Sequence, residues 1–71
     1  MDYQHQIIQN HPRKQIYKFD SNTPYIPSVD DRIAFPESWK DGEWFNVTGV
    51  SHYLVDRLIV INVNRIASGG Y

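Results

Sequence analysis

The sequence lacks cysteine altogether, which excludes disulfide bonds and thiolate metal sites. It also lacks a long apolar run, because the longest one, residues 58–61, is far shorter than the about 20 residues of a membrane-spanning helix. Met1 is followed by polar residues, without the basic and apolar regions of an export signal. The sequence therefore predicts a cytoplasmic protein that does not insert into membranes.

Helical periodicity is missing as well, since no long stretch repeats its apolar side chains at the helical spacing. Alternation typical of strands is present instead, in residues 15–20, 32–35, 43–53 and 57–65. At 71 residues the chain has room for one domain only. These patterns predict a single all-β domain.

The two ends of the sequence are polar and show neither pattern. Residues 1–14 are rich in Gln, His and Asn, which predicts a mobile N-terminal arm with Ile7 and Ile8 as its adjacent apolar pair. Residues 68–71 read Ser-Gly-Gly-Tyr and predict a flexible tail. The folded domain is therefore expected to span residues 15–67.

The longest predicted strand changes phase at a glycine. Phe45 and Val47 share one face, but Gly49 occupies the next position on that face. Val50, His52 and Leu54 continue the inward-facing series one residue out of step. Such a slip indicates a β-bulge, which bends a strand and increases its twist. We therefore predict a small SH3-like barrel or a strongly curled antiparallel sheet of about four to five strands.

Three short stretches of the sequence carry a resemblance to a known group of proteins. They read Pro27-x-Val29-Asp30-Asp31-Arg32-Ile33-x-Phe35, then Trp44-Phe45-x-Val47-Thr48-x-Val50-x-His52, then Ile59-Val60-Ile61-x-Val63. In this order they resemble short SH3-like β-barrel proteins of bacteriophages and mobile elements, most of which have unknown functions. The resemblance implies a small barrel, a phage origin and the host cytoplasm as its location. Asp30 stands where that group has a glycine.

The net charge of −1 results from an uneven distribution of charged residues along the sequence. Residues 20–56 contain seven acidic and two basic residues, a net charge of −5, whereas residues 1–19 and 57–71 carry +2 each. An acidic centre suits a cationic partner protein or a cationic face on another subunit. A solvated acidic face is the alternative explanation.

Residue types that catalyse reactions or bind metals are present, but not in patterns that support those functions. The spacing of His5 and His11 matches no structural zinc pattern, and His52 on a bent strand suits a structural hydrogen bond. Asp30 and Asp31 lie at a predicted turn and are exposed there, whereas acid–base pairs need burial. No serine has the strand–turn–helix context of an activated nucleophile, and no glycine-rich phosphate loop is present. We therefore expect no enzymatic activity, no metal and no cofactor.

The segment around residues 36–42 combines acidic and aromatic side chains, and aromatic side chains on a loop are typical anchors of protein-binding sites. The candidate partner-binding residues are Trp39, Glu37, Asp41, Glu43, Trp44 and Tyr25. Trp39 is either the main anchor or a lid folded over the core, and the same two roles are open to Tyr25. The carboxylates of this loop would repel phosphate, which disfavours nucleic acid as the partner.

These observations predict a non-enzymatic protein-binding module, in its sharpest form a phage-encoded inhibitor or modulator that presents an acidic aromatic loop to a host or viral protein. One alternative is a structural subunit of a virion or other assembly, in which an unpaired strand edge and the polar arm contact neighbouring copies. A second alternative is single-stranded nucleic-acid binding, with positive charge supplied by Arg13, Lys14 and Lys18.

Overall fold

The computed structural model describes residues 2–66, which form five β-strands and one short helix. In chain order the elements are β1 (Tyr3–Asn10), β2 (Arg13–Ser21), β3 (Arg32–Ile33), α1 (Pro36–Lys40), β4 (Trp44–Tyr53) and β5 (Leu58–Ile66). The helix has five residues, so the described part of the chain holds no helix that could cross a membrane.

The strands form one sheet in the order β2-β1-β5-β4-β3, which curls into a half-barrel. Three neighbouring pairs are antiparallel, whereas β1 and β5 run parallel. The predicted all-β class and the strong curl are confirmed, and the half-barrel is consistent with a small SH3-like barrel. The parallel pair makes the sheet mixed rather than antiparallel throughout.

The prediction of a mobile arm over residues 1–14 is wrong. Most of that segment forms β1, which lies between β2 and β5 and pairs with both. Its inward side chains, His5, Ile7 and Gln9, are buried. Two of these three side chains are polar. The sequence of β1 therefore lacks the alternation of apolar and polar residues that marks a half-buried strand. Residues 68–71, predicted as a tail, lie outside the described residues.

The predicted β-bulge in β4 is confirmed. Val47 pairs with Val63 and Gly49 pairs with Asn62, so Thr48 is the additional residue on the β4 side. A bulge of this kind bends a strand and increases its twist. The bulge in β4 therefore contributes to the curl that brings the two edges of the sheet toward each other.

The core lies on the concave face of the half-barrel. Its buried apolar side chains are Ile7, Ile33, Phe45, Val47, Ile59, Ile61 and Val63. The largest contribution comes from β5, because β5 is the middle strand of the sheet and is covered by neighbours on both sides. Partly buried side chains from β1, β2, β4 and the segment before α1 complete this layer.

Aromatic rings close the side of the half-barrel where β2 and β3 do not pair. The rings of Phe45, Phe35 and Tyr17 stack in succession, with centroids 5.4 Å apart in the first pair and 4.7 Å in the second. The Phe19 ring stacks on the His5 imidazole at 4.3 Å. Side-chain stacking therefore holds the two edges of the sheet together where backbone pairing ends.

Two glycines in this fold differ in what they require of the backbone. Gly42 lies between α1 and β4 with φ of +68°, a conformation that costs residues with a side chain about 1 kcal/mol. Gly49 lacks such a φ, and a Cβ atom there would meet no atom within 4 Å. We expect Gly42→Ala to lower the free energy of unfolding by about 1 kcal/mol, and Gly49→Ala to leave it unchanged or raise it by less than about 1 kcal/mol. Urea denaturation measures both values, and equal losses would contradict this difference.

Candidate functional site

Helix α1 is fixed at its first turn by one buried serine. The Ser38 hydroxyl accepts a hydrogen bond from the Phe35 backbone N–H at 2.9 Å and donates one to the Phe35 carbonyl at 3.0 Å. Pro36 occupies the first helical position, where its restricted φ favours the turn. These contacts give Ser38 a structural role and fix the backbone that carries Trp39.

Trp39 projects from α1 into solvent. It is 63% exposed, so it does not cover the core as a lid. The half-buried Trp44, at the beginning of β4, meets the Trp39 indole edge-on with ring centroids 5.4 Å apart. Trp44 therefore supports one edge of Trp39 and leaves most of its surface open to a partner.

The three carboxylates of this loop differ in their surroundings. Glu37 and Asp41 are exposed, and neither has an ion-pair partner within residues 2–66. Glu43 is half-buried and forms an ion pair with Arg65 of β5. Beside Trp39, Glu37 and Asp41 therefore offer two negative charges, and the exposed Lys40 offers one positive charge. We call Trp39, Glu37 and Asp41 the α1 surface.

Tyr25 belongs to a different surface. Its backbone N–H donates a hydrogen bond to Nε2 of the buried His5 at 2.9 Å, and its ring lies 6.4 Å from that of Phe19. Tyr25 is one wall of a groove of about 270 Å³ at the side where β2 and β3 do not pair, which we call the seam groove. The seam groove is lined by Ile7, Tyr17, Phe19, Tyr25, Ile33, Ala34, Phe35 and Pro36.

The structure thus divides the predicted site residues into two groups. One group lies on α1 and at the start of β4 and consists of Trp39, Glu37, Asp41, Glu43 and Trp44. Tyr25 lies at the seam groove, where it is 43% exposed. The two surfaces adjoin at Pro36, which is both the first residue of α1 and part of the groove wall.

The Tyr25 hydroxyl makes this region sensitive to alkaline pH. Burial raises the pKa of Tyr25 above its ordinary value of about 10, and the negative charge of Asp31 raises it further. As the pH rises, tyrosine in the unfolded chain therefore loses its proton before Tyr25 in the folded protein does. The stability that Tyr25 contributes is complete below about pH 10 and is lost as the pH rises through the pKa of the folded state.

We therefore expect the free energy of unfolding to decrease less steeply above about pH 10 in Tyr25→Phe than in the wild type. Urea denaturation at a series of alkaline pH values measures the two slopes. Asp31→Asn should give an intermediate slope, since it removes the second cause of the pKa rise and leaves the burial. Identical slopes for wild type and Tyr25→Phe would show that Tyr25 has no such linkage.

The turn between β4 and β5 exposes an apolar surface that the sequence analysis missed. Leu54 is 76% exposed and Val55 is 96% exposed, directly after the exposed Tyr53. The inward-facing series predicted for this strand was wrong from His52 onward, because His52 is exposed and meets the Tyr3 ring edge-on at 5.8 Å. Three consecutive apolar residues at a strand end cannot all face the core, and this is the signal that identifies the turn.

Histidines and carboxylates do not converge elsewhere in the described part of the chain. No three of these side chains within residues 2–66 are placed to hold a metal ion. His5 is buried between strands and bonded to Tyr25, while His11 is exposed in the turn between β1 and β2. The two histidines considered together in the sequence therefore lie in different environments.

The fold and its surfaces define a small, curled, mixed β half-barrel that carries an exposed acidic aromatic turn. Comparisons with protein-family models, curated proteins and solved structures give no match. The relationship to phage SH3-like barrel proteins therefore stays a prediction from the sequence. The evidence for a function therefore comes from the α1 surface and the seam groove and not from relatives.

Proposed function

We propose that this chain is a non-enzymatic protein-binding module whose α1 surface binds a cationic patch on a partner protein. The observation that carries the proposal is the exposure of Trp39, at 63%, on a turn fixed by buried hydrogen bonds. A large aromatic side chain that is already ordered loses little entropy on binding and is a frequent anchor of protein interfaces.

Trp39 can supply a large part of the free energy of binding at an interface. Covering the exposed part of the Trp39 indole removes on the order of 150 Å² of surface from water. At about 25 cal/mol per Å² this gives roughly 4 kcal/mol before the cost of association is subtracted. Glu37 and Asp41 add attraction for Lys or Arg and raise the rate of encounter with a basic partner.

The most specific version of this proposal is an inhibitor or modulator of the partner protein. The net charge of −5 over residues 20–56 favours a basic groove on the partner, of the kind that proteins handling nucleic acid present. The resemblance to phage-encoded barrels adds that the partner is a host or viral protein. An acidic module of this type acts by occupying the groove in place of its normal ligand.

The test is capture of partners from a bacterial lysate, followed by mass spectrometry. We expect the wild-type chain to retain one partner that a Glu37→Gln, Asp41→Asn double variant retains poorly. The matched control is Asp2→Asn, Asp56→Asn, which removes the same charge from exposed positions away from α1. Retention of the same partner in equal amounts by the Glu37, Asp41 variant would count against the proposal, as would equal loss in the control.

A second candidate function is homotypic assembly into a virion or other particle. The observation that favours it is the apolar turn between β4 and β5, with Leu54 and Val55 exposed. Large exposed apolar side chains in a row often mark contacts between proteins. Sedimentation at increasing protein concentration would show rings or filaments if this function is correct, and these should disappear in Val55→Asp. A monomer at all concentrations favours the binding module.

A further inference from the structure

Within residues 2–66, the half-barrel has one long strand edge that no other strand covers. β2 is the outermost strand of the sheet and pairs with β1 on one side only. At the opposite end of the sheet, β3 is two residues long. The nine residues of β2 therefore present backbone N–H and C=O groups along a free edge, which is the template for adding another strand.

The seam groove lies beside this free edge and on the same face as the inward side chains of β2. Tyr17 pairs with Ile7 and Phe19 pairs with His5, so both rings face the core side and line the groove. Lys18 pairs with Gln6 and points to the other face. Alternate side chains of a strand added to β2 would therefore enter the groove.

The rings around the groove favour an apolar side chain over a cation. The faces of Tyr17 and Phe35 stack on each other at 4.7 Å, and the Phe19 ring stacks on His5 at 4.3 Å. Cation–π binding needs open ring faces, and stacked rings offer mainly their edges. A groove of about 270 Å³ with Ile33 and Pro36 in its walls accommodates one large aliphatic or aromatic side chain.

Two carboxylates belong to residues close to the groove wall. Asp31 lies near enough to Tyr25 for its charge to act on the hydroxyl, and Glu37 follows the groove residue Pro36. Arg32 pairs with Asn46 next to the buried Ile33, so its side chain lies on the opposite face. These two carboxylates can attract a Lys or Arg on the groove face of a bound strand.

We propose that an extended segment of the partner protein adds to the free edge of β2 as a sixth strand, placing one apolar side chain in the seam groove and a Lys or Arg two residues away, on the same face of that strand, toward Asp31 or Glu37. This inference rests on the proposed function and identifies the class of ligand. Main-chain hydrogen bonds to β2 supply affinity, and the groove supplies specificity.

The test begins with selection from a display library of random peptides of about eight residues, slightly longer than an average strand. We expect the enriched peptides to combine an apolar residue with a Lys or Arg two positions away, on the same face of the strand. Ala34→Met fills the seam groove without removing a core side chain and should weaken a selected synthetic peptide at least about tenfold. Ser51→Met introduces the same side chain at an exposed position of β4 and should leave the affinity unchanged.

Amide hydrogen exchange on the wild-type chain tests the strand geometry independently of any variant. Binding of the selected peptide should slow exchange at alternate residues of β2, because those amides gain acceptors from the added strand. Binding that leaves β2 exchange unchanged overturns the inference, as does selection of peptides that bind Ala34→Met and wild type equally. Peptides that lose affinity in Trp39→Ala but not in Ala34→Met overturn it too, while the proposed function of the α1 surface stands.

Discussion

Replacing Ile61 with alanine is expected to remove most of the free energy of unfolding of this protein. Ile61 has no exposed surface and lies in the central strand β5, where it pairs with Ile7 of β1 and Val50 of β4. Truncating a buried isoleucine to alanine costs about 2–5 kcal/mol through lost burial and the cavity left behind. A domain of this size without disulfides has only about 3–5 kcal/mol of stability in total. The loss therefore equals most of what holds the sheet together.

Urea denaturation followed by far-ultraviolet circular dichroism measures this loss. The matched control is Val60→Ala, the neighbouring position, whose side chain lies on the other face and is half-buried. We expect the control to lose no more than about 1 kcal/mol. A loss below about 1 kcal/mol in Ile61→Ala would show that the concave face is not the main source of stability.

Replacing Trp39 with alanine is expected to weaken partner binding by a factor of about 30 or more while leaving the fold intact. The anchor residues of protein interfaces typically contribute 2 kcal/mol or more on truncation, which corresponds to about this factor. Trp39 is mostly exposed and makes its ring contact with Trp44 rather than with the core, so its removal costs little stability. The change should therefore appear in the affinity and not in the free energy of unfolding.

Titration calorimetry with the partner captured from the lysate measures the affinity of each variant. Tyr53→Ala is the matched control, because Tyr53 is also an exposed aromatic residue but lies at the far end of β4, whose ten residues span about 30 Å. The control should bind like the wild type. Equal affinity of Trp39→Ala and wild type would reject the α1 surface as the binding site, and a larger loss in Tyr53→Ala would place the site at the β4–β5 turn.

The strands with apolar inward positions could be predicted from sequence, and the strand with polar ones could not. Phe45 and Val47 are apolar at alternate positions, so their burial could be predicted. The phase slip after them predicted the bulge. In β1 the inward residues His5 and Gln9 read as solvent-exposed. Each of them has one hydrogen bond inside the protein: His5 accepts one from the Tyr25 N–H, and Gln9 donates one to the Pro12 carbonyl at 3.1 Å. The Tyr25 contact joins residues 20 positions apart, which no local pattern reveals.

In the candidate site too, features formed by residues close in sequence could be predicted, and features formed by residues far apart in sequence could not. The acidic and aromatic composition of the α1 surface lies in one short segment, so the sequence could predict it, but the exposure of Trp39 depends on how Trp44 packs beside it. The seam groove could not be predicted, because its walls come from β1, β2, β3, the segments on either side of β3 and the first residue of α1. That Tyr17 and Phe19 share a face was predictable from alternation, whereas the stacking of Tyr17 on Phe35 was not.

The parallel pairing of β1 with β5 has a consequence for how the chain folds. The antiparallel pairs β1–β2 and β4–β5 join strands that are close in sequence and can form early as local hairpins. Their union requires contacts such as that between the Asn10 and Asn64 side chains, which are 54 positions apart. Closing so long a loop costs conformational entropy before the packing of the core compensates for that cost. This order of events slows folding. The rate-limiting event is therefore expected to be the docking of two preformed hairpins along β1 and β5.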